Sequence, residues 1–242
     1  MSYLTSSQSS IQVAEKVTDY KDAALYYNLK RLMDIVGATL LILILSPLFL
    51  LVAILIKLDS SGPIFFKQER VGSRQQNKNG QSSWIIQNFK VYKFRSMLHN
   101  TDQSLHQAHI KSFVEGRTEM FEANGTFKLT NDPRITRVGQ ILRRTSMDEL
   151  PQLLNVIKGE MSLVGPRPVP TYEVAAYSKQ HYRRLATLPG ITGWWQVKGR
   201  GQVSFEGMIE MDIDYVRRQS LWLDIKITLL TIPAILSGRG AG

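Results

Sequence analysis

From Ile35 to Ile56 the chain runs 22 residues without a charged side chain, bracketed by Asp34 and Lys57. At about 1.5 Å per residue a helix of that length reaches about 33 Å, enough to cross a hydrocarbon core of about 30 Å. No other stretch is comparably apolar, so by length this is a membrane helix. Ser46-Pro47 sits at its centre, where proline removes the bond to the Leu43 carbonyl and crowds the preceding turn. The helix is expected to kink or break there. Basic residues flank both ends: Lys16, Lys21, Lys30 and Arg31 before it, Lys57, Lys67, Arg70, Arg74 and Lys78 after it. Lys and Arg concentrate on the cytoplasmic side of a span, so both ends read as cytoplasmic. These residues leave a proline-kinked span and a re-entrant hairpin, with arms of about 12 and 10 residues, equally open. A polar stretch of about 30 residues precedes the run and no small-residue cleavage site follows it, which argues against a signal peptide.

The 242 residues hold 30 Lys and Arg against 20 Asp and Glu, with no cysteine. Thiol nucleophiles, cysteine-based zinc sites and redox switches are thereby excluded. The net charge of +10 comes from two stretches, residues 57–95 with eight basic and two acidic residues, and residues 128–144 with five and one. Such a balance calls for an anionic partner: nucleic acid, lipid head groups or a phosphorylated small molecule.

Residues 1–29 read as a polar, flexible or weakly helical lead-in. Ile64 to Val71 and Trp84 to Arg95 are rich in β-branched and aromatic residues, and the polar run GSRQQNKNGQSS separates them, which predicts a hairpin. Lys93 and Arg95 alternate on the second strand and so share a face. Residues 98–127 look like a polar helical excursion whose His99, His106 and His109 are solvated rather than metal-binding, and Asn124-Gly-Thr is a glycosylation sequon only if translocated. Leu150 to Val156 and Val174 to Leu185 have helical periodicity. The apolar tail from Leu221 to Leu236, interrupted by Asp224, Lys226 and Pro233, is either a buried helix or one lying in the membrane interface with Trp222 at head-group level.

The chain lacks GxxxxGK[ST], a complete GxGxxG, GxSxG and HExxH. What remains is the block RRTSMDELPQLLNVIKGEMSLVGPRP, from Arg143 to Pro168. Ser146-x-x-Glu149 matches a capping box, but that register places Pro151 at the fifth helical position, so a helix starting near Asp148 fits better. Adjacent carboxylates beside arginines also suit phosphoryl transfer, one attacking phosphorus and the other holding Mg²⁺. Pro166-Arg167-Pro168 forms a rigid turn that aims one guanidinium. The LPGITGWW run reads as a turn with aromatic packing.

Taken in order, these pieces resemble the bacterial sugar transferases that act on polyprenyl phosphate, the monotopic phosphoglycosyl transferases. The resemblance covers KRLMDIVGATLLILILSPLFLLVAILIKLDSSGPIFFKQERVG, FKVYKFRSM, NDPRITRVGQILRRTSMDELPQLLNVIKGEMSLVGPRP, LPGITGWWQVKGRG and DIDYVRRQSLWLDIKI. It implies that Asp148 attacks the sugar-bearing phosphate of a UDP-sugar and releases UMP, that Glu149 coordinates Mg²⁺, and that polyprenyl phosphate then takes the phosphosugar. It also implies that Pro166, Arg167 and Pro168 bind the nucleotide or its phosphates, that Lys93 and Arg143 face phosphate, and that Asp212 and Asp224 give support. The fold implied is mainly α with a small β-hairpin (α+β): a lead-in over 1–29, a re-entrant membrane helix over 30–58 broken at Ser46-Pro47, and a catalytic domain over 59–242. That domain would lie on the cytoplasmic face of the inner membrane. The chain resembles the catalytic module alone, without the transmembrane bundle and extra domain of long members. A glycosyltransferase releasing UDP is the rival enzyme, and a non-catalytic basic membrane-binding module is the rival of another class. Nucleic acid is not expected as a partner, and a homodimer is left open.

Overall fold

The computed structural model describes residues 12–13, 23–78, 81–99, 108, 110–112, 132–199 and 203–236. The histidine-bearing excursion and the sequon at Asn124 lie almost wholly outside these. Helix α1 spans Ala23–Asp59 without interruption, with Pro47 inside it. Helical backbone thus runs through Ser46-Pro47 with no non-helical residue between the arms: proline leaves the Leu43 carbonyl without its N–H, and the Ser46 hydroxyl donates to that same carbonyl at 2.8 Å, an arrangement that bends helices. The orphan is satisfied within the helix. The lead-in also ends earlier than expected, since α1 begins at Ala23 and a two-residue strand, β1 (Gln12–Val13), pairs with the hairpin.

One stripe of α1 faces protein. Lys30, Asp34 and Ala38 are buried on its first arm, Val52 and Ile56 on its second. The remainder is apolar and bare: Leu43, Ile44 and Leu50 are all largely exposed, and only 11% of the most apolar window is buried. That distinguishes α1 from the core helix of a water-soluble domain, whose apolar residues are covered.

At the end of α1 the buried Arg95 guanidinium gathers the carbonyls of Ile56, Ser60 and Ser61. Gly62, at φ 119°, then turns the chain into the hairpin, and a Cβ there would collide with Arg95. Strands β2 (Phe65–Lys78) and β3 (Gln81–Phe94) pair antiparallel from Phe65 opposite Phe94 to Lys78 opposite Gln81. Most of the predicted polar loop is therefore strand, and only residues 79–80 separate the two. Those two residues are Asn-Gly, a sequence that favours tight hairpin turns.

Helix α2 (Arg137–Arg144) is capped by the Thr136 side chain on Gly139 N, and Asp59 at the end of α1 accepts from Val138 N at 3.0 Å. A 3₁₀ segment (Met147–Gln152) leads into α3 (Leu153–Lys158). Ala38, Phe89, Val91, Leu153, Val156 and Met161 form one core beneath the first arm of α1, while Val52, Ile56, Phe94 and Leu142 form another beneath the second. Strand β4 (Ser162–Val164) runs parallel to β5 (Gly190–Thr192), a pairing that periodicity does not announce. Between them the expected helix from Val174 to Leu185 is two short pieces, α4 (Thr171–Val174) and a 3₁₀ turn (His181–Leu185).

The chain then forms α5 (Trp194–Lys198), α6 (Phe205–Arg218) and α7 (Leu221–Leu236). Trp195 packs with Phe205, Met208 and Ile209, as expected for a core tryptophan. Helix α7 has one face in the protein and one outside it: Asp224 and Ile227 are buried, while Trp222, Leu229 and Ile232 stand out on the other side.

Candidate active site

The backbone at Ser146 adopts φ 57°, the only positive value at a non-glycine among the described residues. This left-handed residue ends α2 and starts the 3₁₀ segment carrying Asp148 and Glu149. It also rules out the capping box, since Ser146 makes no side-chain cap bond and the Glu149 carboxylate points elsewhere. A helical segment near Asp148 with Pro151 in its first turns is what forms, tightened to 3₁₀ geometry.

Glu149 Oε1 accepts from Lys93 Nζ at 2.8 Å and from Arg167 Nη2 at 2.7 Å, and Oε2 accepts from Arg167 Nη1 at 3.3 Å. Lys93 Nζ also stands 4.0 Å from Asp148 Oδ2, so one ammonium faces both carboxylates. Each of these side chains retains 13–18% exposure, which leaves the cluster open on one side. Burial alone would raise the Glu149 pKa, but Arg167 and Lys93 outweigh it and hold the carboxyl well below its usual range. The reverse holds for Lys93, where burial dominates and pushes the ammonium down against the pull of Glu149.

Strand β3 delivers Lys93 because Asn155 completes its free edge. The buried amide accepts from Tyr92 N at 3.0 Å and donates to the Lys90 carbonyl at 2.8 Å, as a neighbouring strand would. Arg70, from β2, is a component that sequence reasoning did not single out. Its Nη1 donates to the Pro168 carbonyl at 3.3 Å, and burial together with the charge of Arg167 brings its pKa down to about 10. The only signal for it was membership of the basic stretch 57–95.

The Pro166–Pro168 turn is held from three directions. Gly165 N donates to the Thr192 carbonyl at 2.9 Å and Gly190 N to the Pro166 carbonyl at 2.8 Å. The two backbones lie so close that a Cβ on Gly190 would sit 2.1 Å from Gly165 N. From α1, Lys30 Nζ donates to the Val164 carbonyl at 3.0 Å and pairs with Asp224 at 2.8 Å, with Tyr215 donating to Asp224 at 2.7 Å. From behind, Arg184 bonds Asp212 at 2.6 Å and the Arg167 carbonyl at 3.2 Å. Asp212 and Asp224 thus lie outside the carboxylate cage and behind the turn. Arg143 pairs with neither carboxylate; its charge acts on Asp132 instead.

Among the described residues no group of three or more His, Cys, Asp and Glu comes together. A Mg²⁺ ion in a phosphate site needs fewer, since it takes one or two carboxylates and fills its shell with phosphate oxygens and water. Asp148 and Glu149 are the carboxylates that could serve, and Glu149 Oε2 is engaged by one long bond, at 3.3 Å from Arg167 Nη1.

Fixed cations around two carboxylates, beside a long apolar helix, suit a site that binds anionic, phosphorylated groups. The chain belongs to the bacterial sugar transferase family, which matches residues 25–238. Over 213 residues it is 42% identical to the exopolysaccharide production protein ExoY of Rhizobium meliloti, covering 88% of this chain and 87% of that protein. It is 39% identical over 213 residues to the undecaprenyl-phosphate galactose phosphotransferase of Salmonella typhimurium, covering 88% of this chain and 41% of the relative. With the UDP-glucose:undecaprenyl-phosphate glucose-1-phosphate transferase of Escherichia coli the identity is 40% over 218 residues, with 84% and 39% covered. The chain is an enzyme of the phosphoglycosyl transferase class.

Proposed function

We propose that this enzyme transfers a sugar 1-phosphate from a UDP-sugar to polyprenyl phosphate, releasing UMP through a covalent intermediate on Asp148. The observation that carries the reading is the cage itself: Glu149 locked by Lys93 and Arg167, with Asp148 beside it, facing the same ammonium. An Asp148 oxygen attacks the sugar-bearing phosphorus, and the bond to the UMP oxygen breaks. The bound phosphosugar ester is then attacked by an oxygen of polyprenyl phosphate, and the bond to Asp148 breaks, restoring the carboxylate. Lys93, Arg167 and Arg70 supply fixed positive charge where phosphate oxygens gather, already oriented before the substrate arrives. Glu149, with Asp148, would hold Mg²⁺, which when bound neutralises charge on the phosphate oxygens.

The apolar surface supports a lipid acceptor. Both arms of α1 pack on the same domain through Ala38 and through Val52 and Ile56, which speaks for entry and return on one membrane face. The exposed Trp222, Leu229 and Ile232 of α7 extend the apolar surface. An active site anchored there meets a lipid phosphate at the interface, on the cytoplasmic side where UDP-sugars are made. The relatives' names specify galactose, glucose and N-acetylgalactosamine, so the donor sugar has to be found by experiment.

The test is nucleotide release by purified protein with Mg²⁺, undecaprenyl phosphate and a panel of UDP-hexoses. The expected product is UMP with one donor, with a loss on the order of 10³-fold or more in Asp148→Asn. Release of UDP, or full activity in Asp148→Asn, overturns the covalent mechanism; salt-sensitive vesicle binding without turnover on any donor favours a non-catalytic membrane-binding module.

A further inference from the structure

Behind the Pro166–Pro168 turn lies a charged cluster that the reaction does not use directly. Arg184 and Asp212 are wholly buried and Glu173 is 1% exposed. Arg184 Nη2 donates to Asp212 Oδ2 at 2.6 Å, Nη1 lies 3.6 Å from Glu173 Oε1, and Tyr177 OH donates to Glu173 at 2.8 Å while accepting from Arg184. These groups come from α4, the 3₁₀ turn, α6 and the loop between. As a stabilising device the cluster makes little sense. Buried ion pairs and triads often contribute no more than an apolar filling of the same volume, and here two carboxylates share one guanidinium. Burial accordingly lifts the pKa of Asp212 to about 6 even against Arg184.

What the cluster does is grip the main chain of the site. Arg184 Nη2 donates to the Arg167 carbonyl at 3.2 Å, the residue whose own guanidinium clamps Glu149. Glu173 also faces the charges of Arg167 and Arg70 from behind. We infer that Arg184 is a positioning residue: anchored by Asp212 and Glu173, it fixes the Arg167 backbone and so sets where that guanidinium meets the donor's phosphates. This rests on the reaction proposed above.

The experiment is a double-mutant cycle with Arg184→Lys and Arg167→Ala. Lysine keeps the charge but, as a point donor, cannot reproduce a fork whose Nη1 holds Tyr177 and Glu173 while its Nη2 holds Asp212 and the Arg167 carbonyl. In the native background Arg184→Lys should lower kcat/KM for UMP release by about 10- to 100-fold. In the Arg167→Ala background the same change should cost less than about twofold, because the group it positions is gone. Equal losses in both backgrounds overturn the inference. Should Arg184→Lys fail to fold, Tyr177→Phe, which removes one hydroxyl from the cluster, takes its place in the cycle. The same four proteins are compared by chemical denaturation, where coupling of at least about threefold in the unfolding constant is expected. Absence of UMP release from the native protein refutes the proposed reaction. In that case the denaturation cycle decides the positioning role, and additive effects overturn it.

Discussion

Truncating Asn155 to alanine should cost far more stability than the size of its side chain suggests. The amide is fully buried and makes three bonds: Oδ1 accepts from Tyr92 N at 3.0 Å, and Nδ2 donates to the Lys90 carbonyl at 2.8 Å and to Glu160 Oε2 at 2.7 Å. Asn155→Ala orphans two main-chain groups of β3 at about 1–3 kcal/mol each, a loss of about 2–6 kcal/mol from a total of about 5–15 kcal/mol. Asn155→Asp divides the effect. It keeps an acceptor for Tyr92 N but sets a carboxylate against the Lys90 carbonyl and the Glu160 carboxylate. That carboxyl should titrate above its unfolded value of about 3.9, because burial and Glu160 both disfavour the charge. With the folded pKa above the unfolded one, the deficit is smallest below about pH 4 and grows as pH rises through the folded value. Urea denaturation of the three proteins in detergent, across that range, measures both quantities. A loss below about 1 kcal/mol for Asn155→Ala, or a gap for Asn155→Asp that does not change with pH, would refute the claim that this amide closes the strand edge. Since Lys93 follows Tyr92 directly, UMP release should fall with stability in both variants.

Glu149 and Asp212 should give pH slopes of opposite sign. The folded Glu149 pKa is depressed, so its contribution is present above about pH 4.3 and lost as pH falls through the folded value; Glu149→Gln flattens that acid limb. The Asp212 pKa is raised to about 6, so its contribution is complete below about pH 3.9 and lost as pH rises through about 6; Asp212→Asn removes that slope in thermal unfolding profiles. At Ser146, with φ 57°, valine should cost about 1–2 kcal/mol while glycine stays near neutral, relief of strain offsetting a more flexible unfolded chain, as denaturation midpoints will show. Arg95→Met removes the bonds to the Ile56, Ser60 and Ser61 carbonyls and should lower stability by about 2–4 kcal/mol by the same assay.

Local pattern alone determined the apolar helix, the hairpin, the helical segment near Asp148 and the rigid turn around Arg167. Each is written in residues close together in the chain: an uncharged run, alternating β-branched and aromatic residues, a proline at a fixed offset. Ordered motifs were also enough to place the chain in its family. Tertiary structure decided everything that depends on partners far apart in sequence. Glu149 meets Lys93 across 56 residues, Arg184 meets Asp212 across 28, and Lys30 meets Asp224 across 194. No periodicity encodes such pairings, which is why Asp212 and Asp224 could be noticed without their jobs being known, and why Arg70 and Arg184 were passed over. The hydroxyl of Ser46 teaches the same lesson at short range. Proline announces a lost hydrogen bond, but only the folded helix shows that the hydroxyl beside it takes up the orphaned carbonyl.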